Sequence, residues 1–302
     1  MITLYREPLV LTDGGIETRI MYESHRSLRD FCSFELLDDA EGRAILTQIY
    51  RSYAEVAARF DLPIQLGTPT WRASQHWTTD VTRYNREAVA LVRDAIAQTG
   101  ARAVVAGAIG PATDGYDPTH ALGAAEAEAY HREQAAALAD AGVDILYAAT
   151  FPSCDALAGA CAALAQTRLP FAVAPMIRPD GMMMDGTPLA TAIERLDADP
   201  SRRPWHYMLG CIYPTHAATA LAALFRAAPD LAHRVVGLKA NGSPLPPEEL
   251  EEGARLEQTE PQIFARDLWA CAHEFGLTVL GGCCGTDARH IEEIAEQASQ
   301  RV

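Results

Sequence analysis

Leu277-Thr278-Val279-Leu280-Gly281-Gly282-Cys283-Cys284-Gly285-Thr286 is a short apolar run that breaks on two glycines into a pair of adjacent cysteines. The run reads as a buried strand, and glycine lets the chain bend sharply at its carboxyl end without a Cβ penalty. Adjacent cysteines do not easily bond to each other, because the ring they would close is strained away from disulfide geometry. Both can, however, face one soft metal ion. A tetrahedral zinc takes three or four such ligands, and a catalytic zinc keeps one position open. A third ligand candidate, Cys211, ends a similar run at Met208-Leu209-Gly210-Cys211.

Working outward from residue 277, seven further runs of the same kind appear. They are Leu9–Thr12, Pro63–Leu66, Ala103–Ala106, Ile145–Ala148, Phe171–Ala174, Tyr207–Gly210 and Val235–Leu238. Each is short and mostly apolar on both faces, as buried parallel strands are. Between them lie helical patterns. Ile45, Ile49, Tyr53, Val56 and Phe60 fall at helical spacing, Ala88, Val92 and Ile96 repeat it, and an alanine-rich stretch from 121 to 141 stops at Gly142. Residues 188–196, 216–227 and 264–275 supply further helices. Eight strand–helix units in 302 residues predict an α/β fold, a single (β/α)8 TIM barrel over residues 1–302. The competitor is a doubly wound open sheet, but the first turn, Asp13-Gly14-Gly15-Ile16-Glu17, is no dinucleotide fingerprint. Residues 241–261, rich in proline and acids, read as a long loop after the seventh strand. Met182-Met183-Met184-Asp185-Gly186 reads as a loop over the barrel top.

Net charge is −15, from 25 basic and 40 acidic residues, which argues against a nucleic-acid partner. No signal pattern opens the chain and no apolar run approaches the ~18 residues that span a bilayer. A cytoplasmic protein with no membrane partner is expected, and a homo-oligomer is left open. Seven cysteines at irregular spacing do not suggest a disulfide framework. Cys32, Cys154, Cys161 and Cys271 read as buried small residues.

The barrel sharpens the cysteine argument. Cys211 follows the sixth strand, and Cys283 and Cys284 follow the eighth, so all three sit at the carboxyl ends of strands, where barrel enzymes carry their sites. Three thiolates would hold Zn²⁺ at about 2.3 Å each and leave a fourth position. Such a centre suits a substrate thiol, because coordination deprotonates it while leaving a nucleophilic sulfur. Thiolate-rich ligation also weakens the Lewis acidity that water activation requires, so sulfur alkylation is favoured over hydrolysis.

With these motifs in view, the chain resembles the homocysteine S-methyltransferase family, the zinc-thiolate barrels that include the S-methylmethionine- and betaine-using enzymes. The resemblance rests chiefly on Gly281–Thr286. Supporting stretches are Thr12–Thr18, Thr68–Ser74, Ala106–Pro111, Asp185–Pro188, Cys211 and Ala240–Gly242. It implies Cys211, Cys283 and Cys284 as zinc ligands that are catalytic through the metal, with Asp13 and Gly14 at the floor of the substrate pocket and Thr68 nearby. Asn241 falls where the family has a conformationally important loop asparagine. Asp13 as a turn cap, Thr68 as a strand-end residue and Asn241-Gly242 as a tight turn are the plainer alternatives. The implied reaction moves a methyl group from a sulfonium donor, S-methylmethionine or S-adenosylmethionine, to a zinc-bound thiol, with homocysteine giving methionine. Trp71, Trp77 and Tyr213 are aromatic candidates for the donor cation, core packing being the alternative for each.

Two departures from the family pattern matter. The fourth strand ends Tyr147-Ala148-Ala149-Thr150, with Ala149 where the family carries the glutamate that holds the amino group of homocysteine. Loss of an anion opposite an ammonium costs about 1.5–3 kcal/mol of binding. Gly210 stands where the family has asparagine. A same-class alternative is therefore a methyltransferase for a different thiol, one without an α-ammonium group. The different-class alternatives are a zinc hydrolase, for which His216 is the nearest acid–base candidate, and a noncatalytic zinc-binding barrel.

Overall fold

All eight apolar runs form strands in the computed structural model, which describes residues 3–245 and 256–300. They are β1 Val10–Thr12, β2 Ile64–Gly67, β3 Ala103–Ile109, β4 Ile145–Phe151, β5 Phe171–Pro175, β6 His206–Gly210, β7 Val235–Ala240 and β8 Val279–Gly282. Each pairs in parallel with the next, and β8 closes on β1 through Val10↔Val279 and Leu11↔Leu280. This is the (β/α)8 barrel. The alternation of small and large side chains makes closure work. On β5, Ala172 and Ala174 face the barrel interior with Ile145, Tyr147 and Met208 from the neighbouring strands, while Phe171 and Val173 face the helices. The end of the barrel opposite the strand carboxyl ends is sealed by Tyr5, edge-on to Trp205 at 5.0 Å and donating its hydroxyl to Gln65 Oε1.

The helices are α1 Glu17–Glu23, α2 Ala40–Arg59, α3 Val81–Ala97, α4 Ala124–Asp140, α5 Cys154–Ala165, α6 Leu189–Asp197, α7 Pro214–Ala227, α8 Pro229–Ala232, α9 Pro261–Phe275 and α10 Ala288–Ser299. Their starts follow local chemistry. Asp39 accepts from the Gly42 amide at 2.7 Å to cap α2, Ser153 accepts from Ala156 to cap α5, and Pro214 and Pro261 open α7 and α9. Gly142 ends α4 and Gly276 ends α9 in the left-handed conformation. Helix α5 carries no amphipathic signal, and the reason is its burial: it is apolar around most of its circumference and packs on α4 as well as on the sheet. At their contact a Cβ on Gly159 would lie 2.2 Å from the Ala124 carbonyl oxygen.

The 182–186 loop is more ordered than a bare surface loop. Antiparallel bridges Ile177↔Met183 and Met182↔Pro188 fold it back on itself and bury Met183. Of the 241–261 loop, residues 246–255 lie outside the described residues. Cys32, Cys154, Cys161 and Cys271 are buried free thiols, as expected. No helix among the described residues is long and apolar enough to cross a membrane.

Two expectations follow from this packing. Gly159→Ala forces α4 and α5 apart, and the unfolding free energy from urea titration should fall by about 1–3 kcal/mol; an unchanged midpoint would contradict the close approach. His131 and His206 are buried as neutral imidazoles, and desolvation pushes each down to about 4. Unfolded histidine titrates near 6.5. Between these values the unfolded chain takes up protons that the folded chain refuses, so stability is full above about pH 6.5 and is lost as pH falls toward 4. His206→Gln should flatten that part of the stability–pH curve, and parallel curves for the two proteins would contradict the assignment.

Candidate metal centre and pocket

The centre is built where β8 runs out. A Cβ on Gly282 would lie 1.9 Å from Thr286 Oγ1, so only glycine lets the strand end press against its own turn. Gly285 then reverses the chain at φ 76°. Backbone hydrogen bonds lock the result. The Cys283 amide donates to the Ala240 carbonyl at 2.7 Å, the Gly242 amide to the Cys284 carbonyl at 2.8 Å, and the Gly15 amide to the Thr286 carbonyl at 3.0 Å. Thr286 Oγ1 donates to the Cys283 carbonyl at 2.8 Å. The turn is thereby tied to β1, β7 and itself.

Cys211 meets it from β6. Its amide donates to the Lys239 carbonyl at 2.9 Å, and its φ of 55° is left-handed, a sparsely populated state for a residue with a side chain. The three half-buried sulfurs of Cys211, Cys283 and Cys284 lie within 4.8 Å of one another. Three thiolates on one tetrahedral ion at about 2.3 Å need sulfur–sulfur separations of about 3.8 Å, so the set fits a metal with small adjustments. The cluster is also electrostatically primed. Contact with the Cys283 and Cys284 side chains draws the Cys211 thiol well below the ordinary thiol range. The same contacts push Cys283 and Cys284 up.

Two side chains steady the Cys211 sulfur. Tyr116 Oη donates to it at 3.3 Å and Asn241 Nδ2 lies at 3.5 Å. Asn241 is itself fixed, because its Oδ1 accepts from the Ser243 amide at 3.0 Å. Burial, and then the neighbouring Cys211 sulfur, push the Tyr116 phenol far up, so it remains a donor. From Cys211 a cavity of about 300 Å³ opens outward. Tyr116 and Asn241 line its inner end, Met176, Met184 and Leu245 give it an apolar wall, and Arg178 and His216 supply its basic groups.

Asn241 is thus brought to the sulfurs, while the other three expected substrate residues lie off the pocket wall. Asp13 sits beneath the cysteine turn. Its carbonyl accepts from the Gly282 amide at 3.0 Å, Oδ2 accepts from the Gly67 amide at 2.6 Å, and Oδ1 is ion-paired with Lys239 Nζ. A Cβ on Gly14 would lie 2.7 Å from Thr286 Oγ1, so Gly14 serves close packing there. The Thr68 hydroxyl bonds Thr70 Oγ1 at 2.7 Å and accepts from the Ala108 amide at 3.0 Å, tying β2 to β3. Trp71 and Trp77 both stack on the Arg72 guanidinium, at 4.1 and 4.5 Å, so an internal cation already occupies their faces. Tyr213 lines the pocket and donates its hydroxyl to Asp267 at 3.0 Å. His216, the acid–base candidate, is half-buried on the same wall. Sequence reasoning missed Tyr116, Arg178 and Lys239. Lys239 alone carried a signal, as a lone charge in the apolar run Val235–Ala240.

The family model described as Homocysteine S-methyltransferase matches residues 10–298. No curated protein sequence matches. Among solved structures, the chain is similar to the homocysteine methyltransferase MmuM from Escherichia coli. Its oxidized form matches at a TM-score of 0.74 and 21% identity over 98% of each chain. Its metallated form matches at 0.73 and 20% identity over 97% of this chain and 98% of that one. The structural likeness carries the barrel, and the family match spans nearly the whole sequence. The chain belongs to the homocysteine S-methyltransferase family and is a methyltransferase.

Proposed function

We propose that this barrel, as one domain over residues 1–302, is a zinc-dependent thiol S-methyltransferase that takes its methyl group from a sulfonium donor, S-methylmethionine or S-adenosylmethionine. The observation that carries the reading is the meeting of three cysteine sulfurs within 4.8 Å, one of them, Cys211, at the inner end of a cavity of about 300 Å³. Cys211, Cys283 and Cys284 would hold the ion, and with it bound the centre supplies the positive charge that keeps an added thiol deprotonated at neutral pH. That the similar Escherichia coli enzyme has a metallated form supports a metal-dependent reading.

The remaining work falls to the chain itself. Tyr116 and Asn241 donate toward Cys211 and hold its sulfur in one orientation. The apolar wall of Met176, Met184 and Leu245 keeps water away from the reacting sulfur and matches the soft S–CH₃ end of a sulfonium donor. In the displacement a new carbon–sulfur bond forms on the acceptor as the donor's breaks, and the donor leaves as a neutral thioether. No side-chain base is required. Homocysteine, giving methionine, is the acceptor proposed first and the reference for any assay; a thiol without an α-ammonium group is the alternative that Ala149 raises. An all-sulfur donor set weighs against the hydrolase alternative. An open cavity at Cys211 weighs against a purely structural zinc.

Protein purified under reducing conditions should carry about one zinc per chain by elemental analysis, and Cys284→Ala should lose most of both zinc and methyl transfer. Full zinc in the variant would contradict the ligand set. Tyr116→Phe removes a single hydrogen bond, so kcat/KM should fall about three- to tenfold with zinc retained. Loss of zinc from this variant would contradict the supporting role.

A further inference from the structure

Beside the cysteine centre the barrel interior ends on small side chains. The last inward positions of β3, β4, β5 and β6 are Ala108, Ala149, Ala174 and Gly210. Each lies two residues beyond an interior side chain, Ala106, Tyr147, Ala172 and Met208 in turn, and residues two apart on a strand share a face. Ala149 pairs with Ala174 and Ala108 with Tyr147, so the small residues adjoin above the tyrosine ring. They leave a hollow at the barrel mouth, next to Cys211. The atoms nearest the place of a Gly210 Cβ are Ala174 Cβ at 3.4 Å, Thr150 Cγ2 at 3.8 Å and Tyr147 Oη at 3.8 Å. The phenol hydroxyl thus ends beside the residue that precedes a metal-ligand candidate.

That hydroxyl has nothing to bond to. Tyr147 is 4% exposed, yet its Oη finds no hydrogen-bond partner among the described residues. Tyr5 and Tyr116, by contrast, each donate to a fixed acceptor. Tyr50 Oη is also unpartnered but fully enclosed, whereas Tyr147 Oη is not and opens on the hollow. An unpartnered buried polar group costs about 1–3 kcal/mol, which a ligand hydrogen bond would recover. Burial, and then the charges of Cys283, Asp13 and Cys211, hold the phenol far above its ordinary range. It therefore stays a neutral hydroxyl with free lone pairs. Lys239 neutralises Asp13, which leaves the cysteine sulfurs as the uncompensated charge acting on the hydroxyl among the described residues. Three thiolates outweigh the charge of a divalent ion, so a cation is favoured beside them.

We propose that Tyr147 is a substrate-binding residue whose hydroxyl accepts a hydrogen bond from the α-ammonium of an amino-acid thiol, the sulfur of that thiol lying at the cysteine cluster. This rests on the thiol-methylation reading above and gives the ammonium a partner on β4, where Ala149 offers only a methyl group. Tyr147→Phe removes the hydroxyl and keeps the ring, so the barrel packing is retained. Cobalt(II)-loaded protein and its Tyr147→Phe variant are titrated with three thiols, following the sulfur-to-cobalt absorption band. The thiols are homocysteine, 3-aminopropane-1-thiol, which lacks the carboxylate, and 4-mercaptobutanoate, which lacks the ammonium. The variant should bind homocysteine and the aminothiol about tenfold more weakly and 4-mercaptobutanoate unchanged. An equal loss for all three thiols, a loss confined to 4-mercaptobutanoate, or no loss at all would overturn the proposal and leave thiol methylation standing. A cobalt band already altered in the variant before any thiol is added would make Tyr147 a support of the metal site and overturn it likewise. If no thiol changes the band of the unmodified protein, the methylation reading falls and this proposal falls with it.

Discussion

The close approach of β8 to β1 and to its own turn is the constraint on which the rest depends. Two glycines in succession let the strand end pass where any side chain would strike Thr12 on one side and Thr286 on the other. That passage puts the Cys283 amide on Ala240 and the Cys284 carbonyl on Gly242, so the turn is registered against β7 before any metal is considered. Cys211, tied to the Lys239 carbonyl from the other side of β7, then meets the pair. A single strand between β6 and β8 is the spacer that sets the sulfur separations. The strained backbone at Cys211 is consistent with a residue held by its surroundings for a chemical purpose.

Below this assembly the charges are arranged in layers. The Asp13–Lys239 pair is buried against the cysteine turn, where neither charge could remain alone. It anchors β1 to β7 and places a neutralised pair, rather than a free acid, next to the centre. Above it the cavity is apolar on one wall and basic at Arg178 and His216. Within such folds, chemistry resides in the metal ligands and specificity in the loops that frame them.

The fold was legible because a parallel barrel buries both faces of each strand, and eight short apolar runs are the direct consequence. The cysteine set was legible for a related reason: strand ends are fixed by the runs, and ligands at strand ends must converge. Helix α5 escaped the periodicity argument because burial on several sides erases the polar face that periodicity detects. Tyr116 could not be found by spacing, since 95 residues separate it from the sulfur to which it donates. Lys239 announced itself as a misplaced charge, but its partner Asp13 is 226 residues away, and no local pattern links them. The expected roles of Gly14 and Thr68 came from resemblance alone, and the structure gives each a packing or strand-tying task.

The central claim is that Cys211, Cys283 and Cys284 hold one zinc with a position open to a thiol. X-ray absorption at the zinc edge, on purified protein with and without an added thiol, tests it most directly. The account predicts three sulfurs at about 2.3 Å in the resting protein and four after the thiol is added. A first shell dominated by nitrogen and oxygen, or one that does not change when the thiol is present, would contradict it.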